Sequence, residues 1–495
     1  MRRLSILILC MSAWTNFASA QVKITYDDEA EWKAYDDFNN AFLDVANGKY
    51  IYKADTKQSK ADHRGNGYRD NDVSGCAAAI WCQAIMYDMV INAYNRAKAE
   101  GDATRIKKYK DLHDKIYDGE KSHYVNFNFH DPNTNNGWFV YDDIMWWTCA
   151  LARAYETFGK QEYLTNSEKS FCRVWYGSAK VGDDGSYADP ARFSGKYGGG
   201  MFWEWQPIEK PKAHQPGDFR SACINFPTVI AACLLHKLVP EGREPPTAAR
   251  PARQTKEWYL EKAKEIYAWA DGTLVNKTAE NNGTNTILLG QVADGIHGGG
   301  PEYSDHLYNQ ATYIGASCLL YKLTHEPIYL ENAKRGANYV INKMCNSNIL
   351  KYENGYEQGI YAAIYAQYIK MLIYDCGLNE RDTRTYLMHI QRNIQRAYIN
   401  TDQTRGIQIG NFATKTKEDA VVESYGASGM PALMLMFPAS DTATPVSAFN
   451  EEKHEAVSDV YTAEGRLVMK NATSEQAQNL DSGLYIFHRK KFLVK

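Results

Sequence analysis

Apolar and polar positions along the chain sort into two alternating kinds of segment. Six of them, residues 76–94, 142–155, 222–238, 309–323, 358–374 and 425–437, join small residues to a nearly continuous apolar or aromatic surface and carry few charges. A helix that is apolar all round needs cover on every side, so these stretches predict buried helices. Between them run ordinary amphipathic patterns over 29–46, 105–117, 162–176, 255–270, 329–341 and 385–399. In the fourth of these, Tyr259, Ala263, Ile266 and Ala270 recur every three or four residues and make a single packing face. Gly101, Gly159 and Gly426 mark turns or helix edges, and Pro227 fits a first helical turn.

Six helices needing cover on two sides, alternating with six needing it on one, are satisfied by two concentric rings. The expected fold is therefore all-α, an (α/α)6 barrel of six inner and six outer helices; a looser array of helical repeats is the alternative. The connections over 129–141, 197–220, 281–308 and 401–423 are unequal and rich in aromatics, as expected of loops lining one common cavity. After Pro445 the character changes. Leu467-Val468-Met469, Leu484-Tyr485-Ile486-Phe487 and Phe492-Leu493-Val494 are short apolar runs broken by Gly, Asn, Asp and Ser, which predicts strands and turns. Residues 446–495 are thus expected to form a small β-rich C-terminal extension behind the (α/α)6 domain over 21–445.

The first twenty residues belong to neither. Arg2 and Arg3 precede an apolar run from Leu4 to Met11, and Ala18-Ser19-Ala20 supplies small residues for cleavage, so 1–20 read as a secretory signal peptide. The run is far shorter than the roughly 20 residues of a membrane span, and no later stretch resembles one. The expected protein is exported. Of the 495 residues 44% are hydrophobic and 23% charged, which excludes disorder throughout, while 35 Tyr, 17 Phe and 11 Trp give aromatic surface to spare. The formal charge of -3 offers no concentration of Lys and Arg for nucleic acid. The cysteines are scattered without a CxxC pair, several within apolar patterns, and read as buried thiols. No HExxH or compact His/Cys set is present, and no cofactor or metal is expected.

Candidate chemistry concentrates at Tyr141-Asp142-Asp143-Ile144-Met145-Trp146-Trp147, where a loop containing Asn135-Asn136-Gly137-Trp138 meets a buried helix. Helix capping is one reading of the aspartates. Capping needs a single carboxylate, however, and two charges beside aromatic residues incur desolvation and mutual repulsion, an arrangement suited to separating protonation states. Glycoside hydrolysis needs that division: one carboxyl protonates the leaving oxygen while the other attacks the anomeric carbon or activates water. Trp138 and Trp203, in loops, are candidate sugar-stacking faces, whereas Trp146 and Trp147 read as core. Gly198-Gly199-Gly200 lacks the spacing of a nucleotide loop and is expected to serve close packing.

Over roughly residues 28 to 438 the sequence resembles glycoside hydrolase family 76, the endo-acting α-1,6-mannanases. The resemblance is carried by Trp81 to Tyr94, by Tyr141 to Trp147 with Ala150 and Ala154-Tyr155, by Gly199 to Trp203, by Tyr308 to Gly315, by Leu320 to Thr324 with Tyr329-Leu330, and by Glu357-Gln358-Gly359-Ile360-Tyr361. It implies an (α/α)6 barrel with an open groove and a retaining mechanism acting inside α-1,6-linked mannose chains, as in the backbone of yeast cell-wall mannan. Carried onto this chain, Asp142 is similar to the nucleophile and Asp143 to the general acid/base. Asp294, in Val292-Ala293-Asp294-Gly295, is similar to a residue holding substrate near the cleavage point; a loop-turn Asp before Gly is the alternative. Tyr308 and Tyr361 join Trp138 and Trp203 as candidate substrate-binding residues.

Departures from the family concern range. Residues 240–254 and 276–286 are longer than a minimal member needs, which bears on distal sugar subsites. The tail resembles short C-terminal extensions on exported proteins of glycan-degrading Gram-negative bacteria, implying sorting or outer-membrane attachment and a periplasmic or outer-surface location; a passive packing strand is the other reading. Two further functions stay open. A non-catalytic carbohydrate-binding protein would use the same aromatic groove without needing both aspartates, and a polysaccharide lyase would need basic residues beside them.

Overall fold

The computed structural model describes residues 22–62, 75–131, 138, 140–177, 197–205, 218–247, 252–281, 286–297, 299–353, 355–442, 458–462, 466–472, 480, 483–487 and 490–494. The expected signal peptide lies outside the described residues. The chain divides after Thr442 into two compact units.

In the first unit the inner helices are α2 (Ile80–Glu100), α4 (Tyr141–Phe158), α6 (Ala222–Leu238), α8 (Leu307–Thr324), α10 (Tyr361–Asp375) and the short pair α12 (Ser424–Ala427) and α13 (Gly429–Met436). The outer helices are α1 (Asp28–Phe42), α3 (Ala103–His123), α5 (Gln161–Tyr176), α7 (Lys256–Thr273), α9 (Pro327–Lys343) and α11 (Glu380–Ile399). Inner helices pack in sequence, α2 on α4, α4 on α6, α6 on α8, α8 on α10 and α10 on α13, and α13 returns to α2. That last contact closes the ring and removes the open repeat array. Burial follows the sequence pattern: every residue of α6 from Ala222 to Leu235 is buried, whereas α3 buries only Tyr109, His113, Ile116, Tyr117 and Glu120.

Inner and outer helices meet across tight turns. Gly101 and Gly159 take the left-handed conformation that ends α2 and α4, as their positions predict. The return from each outer helix to the next inner one is long, so all six inner helices begin on the same face, and side chains near their N-termini converge there. The positive ends of the helix dipoles converge with them, favouring negative charge at that mouth. Pro227 is the sixth residue of α6, past the first turn expected for it. The strand pair Arg220–Ser221 and Gly295–His297, together with the Ala222 amide bonded to the Asp294 carbonyl at 2.8 Å, fixes the entry of the helix.

The nine cysteines among the described residues form no disulfide, and all but Cys345 are buried. No helix among the described residues is long and apolar enough to cross a membrane. The Gly198–Gly200 segment packs closely, as expected. A Cβ on Gly200 would lie 2.6 Å from the Trp269 ring, and its φ of 74° suits glycine.

The second unit is an antiparallel sheet with the order Lys490–Val494, Gly483–Phe487, Ser458–Thr462, Leu467–Ala472. These are two hairpins joined by the pairing of Tyr485 with Thr462 and Ile486 with Tyr461. A chain ended near Asn450 is expected to keep the melting temperature and the hydrolytic rate of the helical unit, because the ring closes through α13 without it. Loss of helical circular dichroism on that truncation would contradict this.

Candidate active site

At the mouth of the inner ring lies a cavity of about 360 Å³. Its walls come from the beginnings of inner helices and the loops leading into them: Ile80 and Trp81 on α2, Asp142, Asp143 and Trp146 on α4, Cys223 on α6, Tyr308 on α8, Tyr361 on α10, and Trp203, Phe219, Asp294 and Glu357 from the connections.

Backbone hydrogen bonds strap these loops over α4. The Tyr141 amide donates to the Trp203 carbonyl at 2.9 Å, the Trp203 amide to the Phe219 carbonyl at 2.9 Å, and Val140 bridges to Glu204. Trp203 is thereby held at the start of the helix that carries both aspartates. Its ring meets Phe219 edge-on at 5.9 Å. Asp294 is placed by its amide bonded to the Glu302 carbonyl, and its Oδ1 accepts from the Asn309 side chain at 3.0 Å. Tyr308 and Tyr361 stack face to face, 4.1 Å apart and 4° from parallel, so they brace one another in the wall.

Trp138 does not reach the cavity. It is fully buried, with Phe129 at 5.0 Å and Tyr124 at 6.1 Å, because the aromatic cluster at the end of α3 covers it. A loop tryptophan is thus part of the core, while Trp146, which reads as core, lines the cavity with only a sliver of its surface open. Trp147 is core as expected, its indole donating to the Ile80 carbonyl at 2.9 Å. The 401–423 connection contributes nothing to the cavity lining among the described residues. Its place is taken by the 3-10 turn Tyr356–Ile360 ahead of α10, which presents Glu357.

Trp81 and Glu357 are the site residues that sequence reasoning missed. The Trp81 indole donates to Glu357 Oε2 at 2.6 Å, and its ring lies 6.0 Å from Trp146 and 6.3 Å from Tyr361. Trp81 was hidden at the start of a segment patterned for burial. The available signal for Glu357 was a lone carboxylate just before an apolar helix, the placement that marks Asp142 and Asp143 on α4.

Asp142 and Asp143 occupy the first turn of α4, whose N-cap, Val140, has no capping side chain. Burial raises the Asp142 carboxyl above the usual carboxylate range, while the Cys223 thiol, the amides of Asp142 and Asp143, and Trp203 pull it down. Oδ1 of Asp142 is buried without a hydrogen-bond partner among the described residues. Asp143 is raised much further, by burial first and then by the negative charges of Asp142 and Glu357. Burial also raises Glu357 to about 7, against the Trp81 hydrogen bond and with help from Asp142. Burial thus pushes both carboxyls up, with hydrogen bonds favouring charge on Asp142 and the neighbouring negative charges opposing it on Asp143, the kind of division that acid-assisted displacement at a sugar carbon requires. Among the described residues no Lys or Arg lines the cavity, and no group of three or more His, Cys, Asp or Glu is arranged to hold a metal ion.

An adjacent carboxyl pair set between aromatic walls at the mouth of a double helical ring is the arrangement expected of a glycoside hydrolase. The chain belongs to glycosyl hydrolase family 76, whose sequence model matches residues 51–443. Its fold is similar to that of the α-1,6-mannanase from Salegentibacter sp. HEL1_6, at 21% identity and a TM-score of 0.60, covering 83% of this chain and 97% of that one. An inactive variant of that enzyme, with two consecutive aspartates changed to asparagine, is similar at 20% identity and TM-score 0.60 over 84% of this chain and 99% of that one, and is in complex with α-1,6-mannotriose. A family 76 mannosidase of Bacteroides thetaiotaomicron aligns at 14% identity and TM-score 0.57, covering 82% of this chain and 96% of that one. No curated protein matches the chain significantly.

Proposed function

We propose that this protein is an endo-acting, retaining α-1,6-mannanase that cleaves the mannan backbone, with Asp142 as nucleophile and Asp143 as general acid/base. The observation that carries the reading is the pair of adjacent carboxyls, Asp142 and Asp143, set by the first turn of α4 into the wall of the aromatic-lined cavity. Asp142, ionised, attacks the anomeric carbon and forms a glycosyl ester as Asp143 gives its proton to the departing oxygen. Asp143 then takes a proton from the water that releases the sugar. Trp203, Asp294, Tyr308 and Tyr361 line the same cavity and are assigned to substrate binding; Trp138 drops out of that set. The α-1,6-mannotriose held by the similar Salegentibacter enzyme supports the choice of linkage.

The wall chemistry speaks against a lyase, because a uronate carboxylate brought beside four acidic side chains, with no cation in the lining among the described residues, would be repelled. The protein is assigned to the periplasm or outer surface of a Gram-negative bacterium, with residues 446–495 serving sorting or attachment.

Product analysis tests the reading. Linear α-1,6-mannan is expected to give a ladder of manno-oligosaccharides whose first products keep the α configuration, and polyuronates are expected to remain uncut. The rate should survive exhaustive chelation, since carboxyl groups alone supply the proposed chemistry. Binding of mannan without products would replace this reading with that of a carbohydrate-binding protein.

A further inference from the structure

We infer that Glu357 is a third functional carboxylate of the cleft, whose negative charge holds the proton on Asp143 and so extends activity toward alkaline pH. The inference rests on the proposed roles of Asp142 and Asp143. Glu357 lines the same cavity as both aspartates, on the turn facing them from the start of α10. That turn is anchored, because a Cβ on Gly359 would lie 2.6 Å from the Gly426 amide nitrogen, leaving no room for the turn to shift toward α12. The Trp81 indole fixes Oε2, and no described residue bonds Oε1. Glu357 is therefore held as an oriented carboxyl in a wall that presents no counter-cation among the described residues.

The groups that face this pair are few. On α4 Asp142 adds negative charge to both Asp143 and Glu357. The Cys82 thiol from α2 feels both Asp143 and Glu357, and the Tyr425 hydroxyl from α12 feels Glu357; burial pushes both groups well up, so both stay neutral. Through the neutral range Glu357 ionises, and Asp143 then meets two negative neighbours in place of one. Losing the proton from Asp143 would add a further negative charge to a cavity that Asp142, Glu357 and Asp294 already line. The sign follows: removing the Glu357 charge lets Asp143 deprotonate at lower pH.

Glu357 acts through Asp143 and is a positioning residue for its proton. The decisive variant is Glu357→Gln, whose amide oxygen still accepts from Trp81. The alkaline limb of kcat/KM on α-1,6-manno-oligosaccharides is expected to move down by on the order of one pH unit. With a fluoride-activated mannosyl donor, whose departure needs no proton, the glycosylation step should lose that shift. An unmoved limb, or a raised KM with kcat unchanged at every pH, would overturn the inference in favour of simple sugar binding. A readout independent of turnover is the infrared carbonyl band of Asp143 in carbon-13 aspartate-labelled protein, assigned by its loss in Asp143→Asn. The band should persist to higher pH in the parent protein than in Glu357→Gln. A band shift in a protein that cuts no mannan would sustain the coupling and overturn the proposed function; mannan cleavage with no band shift would do the reverse.

Discussion

Asp142→Asn is expected to lower turnover of every α-1,6-mannan substrate by on the order of 10⁴-fold or more, leaving the fold intact. An amide nitrogen or oxygen at this position cannot replace the ionised carboxylate that attacks the anomeric carbon. The surroundings favour that ionised form locally: the α4 N-terminus, two backbone amides, the Cys223 thiol and Trp203 all favour charge on Asp142 against the pull of burial. The same groups can hydrogen-bond an asparagine oxygen, so the substitution creates no cavity. Stability should move in the opposite direction to activity. A carboxyl whose pKa is raised on folding contributes its stability below its unfolded pKa and loses it as pH rises through the folded value, so ionised Asp142 at neutral pH weakens the fold. Replacing it also relieves Asp143 of its nearest like charge. Thermal melting at pH 7 should therefore be unchanged or higher in the variant, with circular dichroism superimposable. Residual turnover above about 1% of the parent rate would remove Asp142 from the nucleophile's role, and a lowered melting temperature would overturn the stability argument.

Much of this architecture is legible in the one-dimensional pattern because helices buried on two sides cannot hide their composition. The α6 segment 222–238 carries almost no polar surface, and its observed bounds coincide with the apolar run. The six-by-six count is legible for the same reason, though the closing contact of α13 on α2 is a long-range event that no local pattern records. Asp142 and Asp143 stand out because two adjacent charges interrupt an aromatic helix start. The tryptophans show where such reasoning stops. Trp138 and Trp203 both sit in polar loops, yet one is packed under Phe129 while backbone bonds hold the other in the cavity wall. Exposure of a large ring depends on what the neighbouring loop covers, and local sequence carries little of that. Glu357 was obscured differently. A single acidic residue before a helix is what any first turn favours, and only the convergence of inner-helix N-termini brings it beside the aspartate pair.

Asp143→Asn is expected to separate the two half-reactions. Mannan turnover should fall by on the order of 10³-fold or more, because the leaving sugar oxygen is a poor departing group without a proton and the incoming water then lacks a base. Asp142 keeps its charge in this variant. It also loses a competing carboxyl neighbour, so its pKa should fall and it should be ionised to lower pH than in the parent. A dinitrophenyl or fluoride mannosyl donor departs without protonation, so the first displacement should still proceed, whereas release of the ester awaits water without its base. The glycosyl-enzyme then accumulates. Brief exposure of the variant to such a donor should add one sugar mass to the protein, and peptide mapping should place it on Asp142. Added azide, a small anion needing no base, should release the sugar as the α-configured azide and restore steady turnover. In the parent protein, an adduct mapped to Asp143 would exchange the two roles. First products of inverted configuration from the parent enzyme would rule out the covalent route, leaving Asp142 to activate water across a cavity that now has to hold that water beside the sugar.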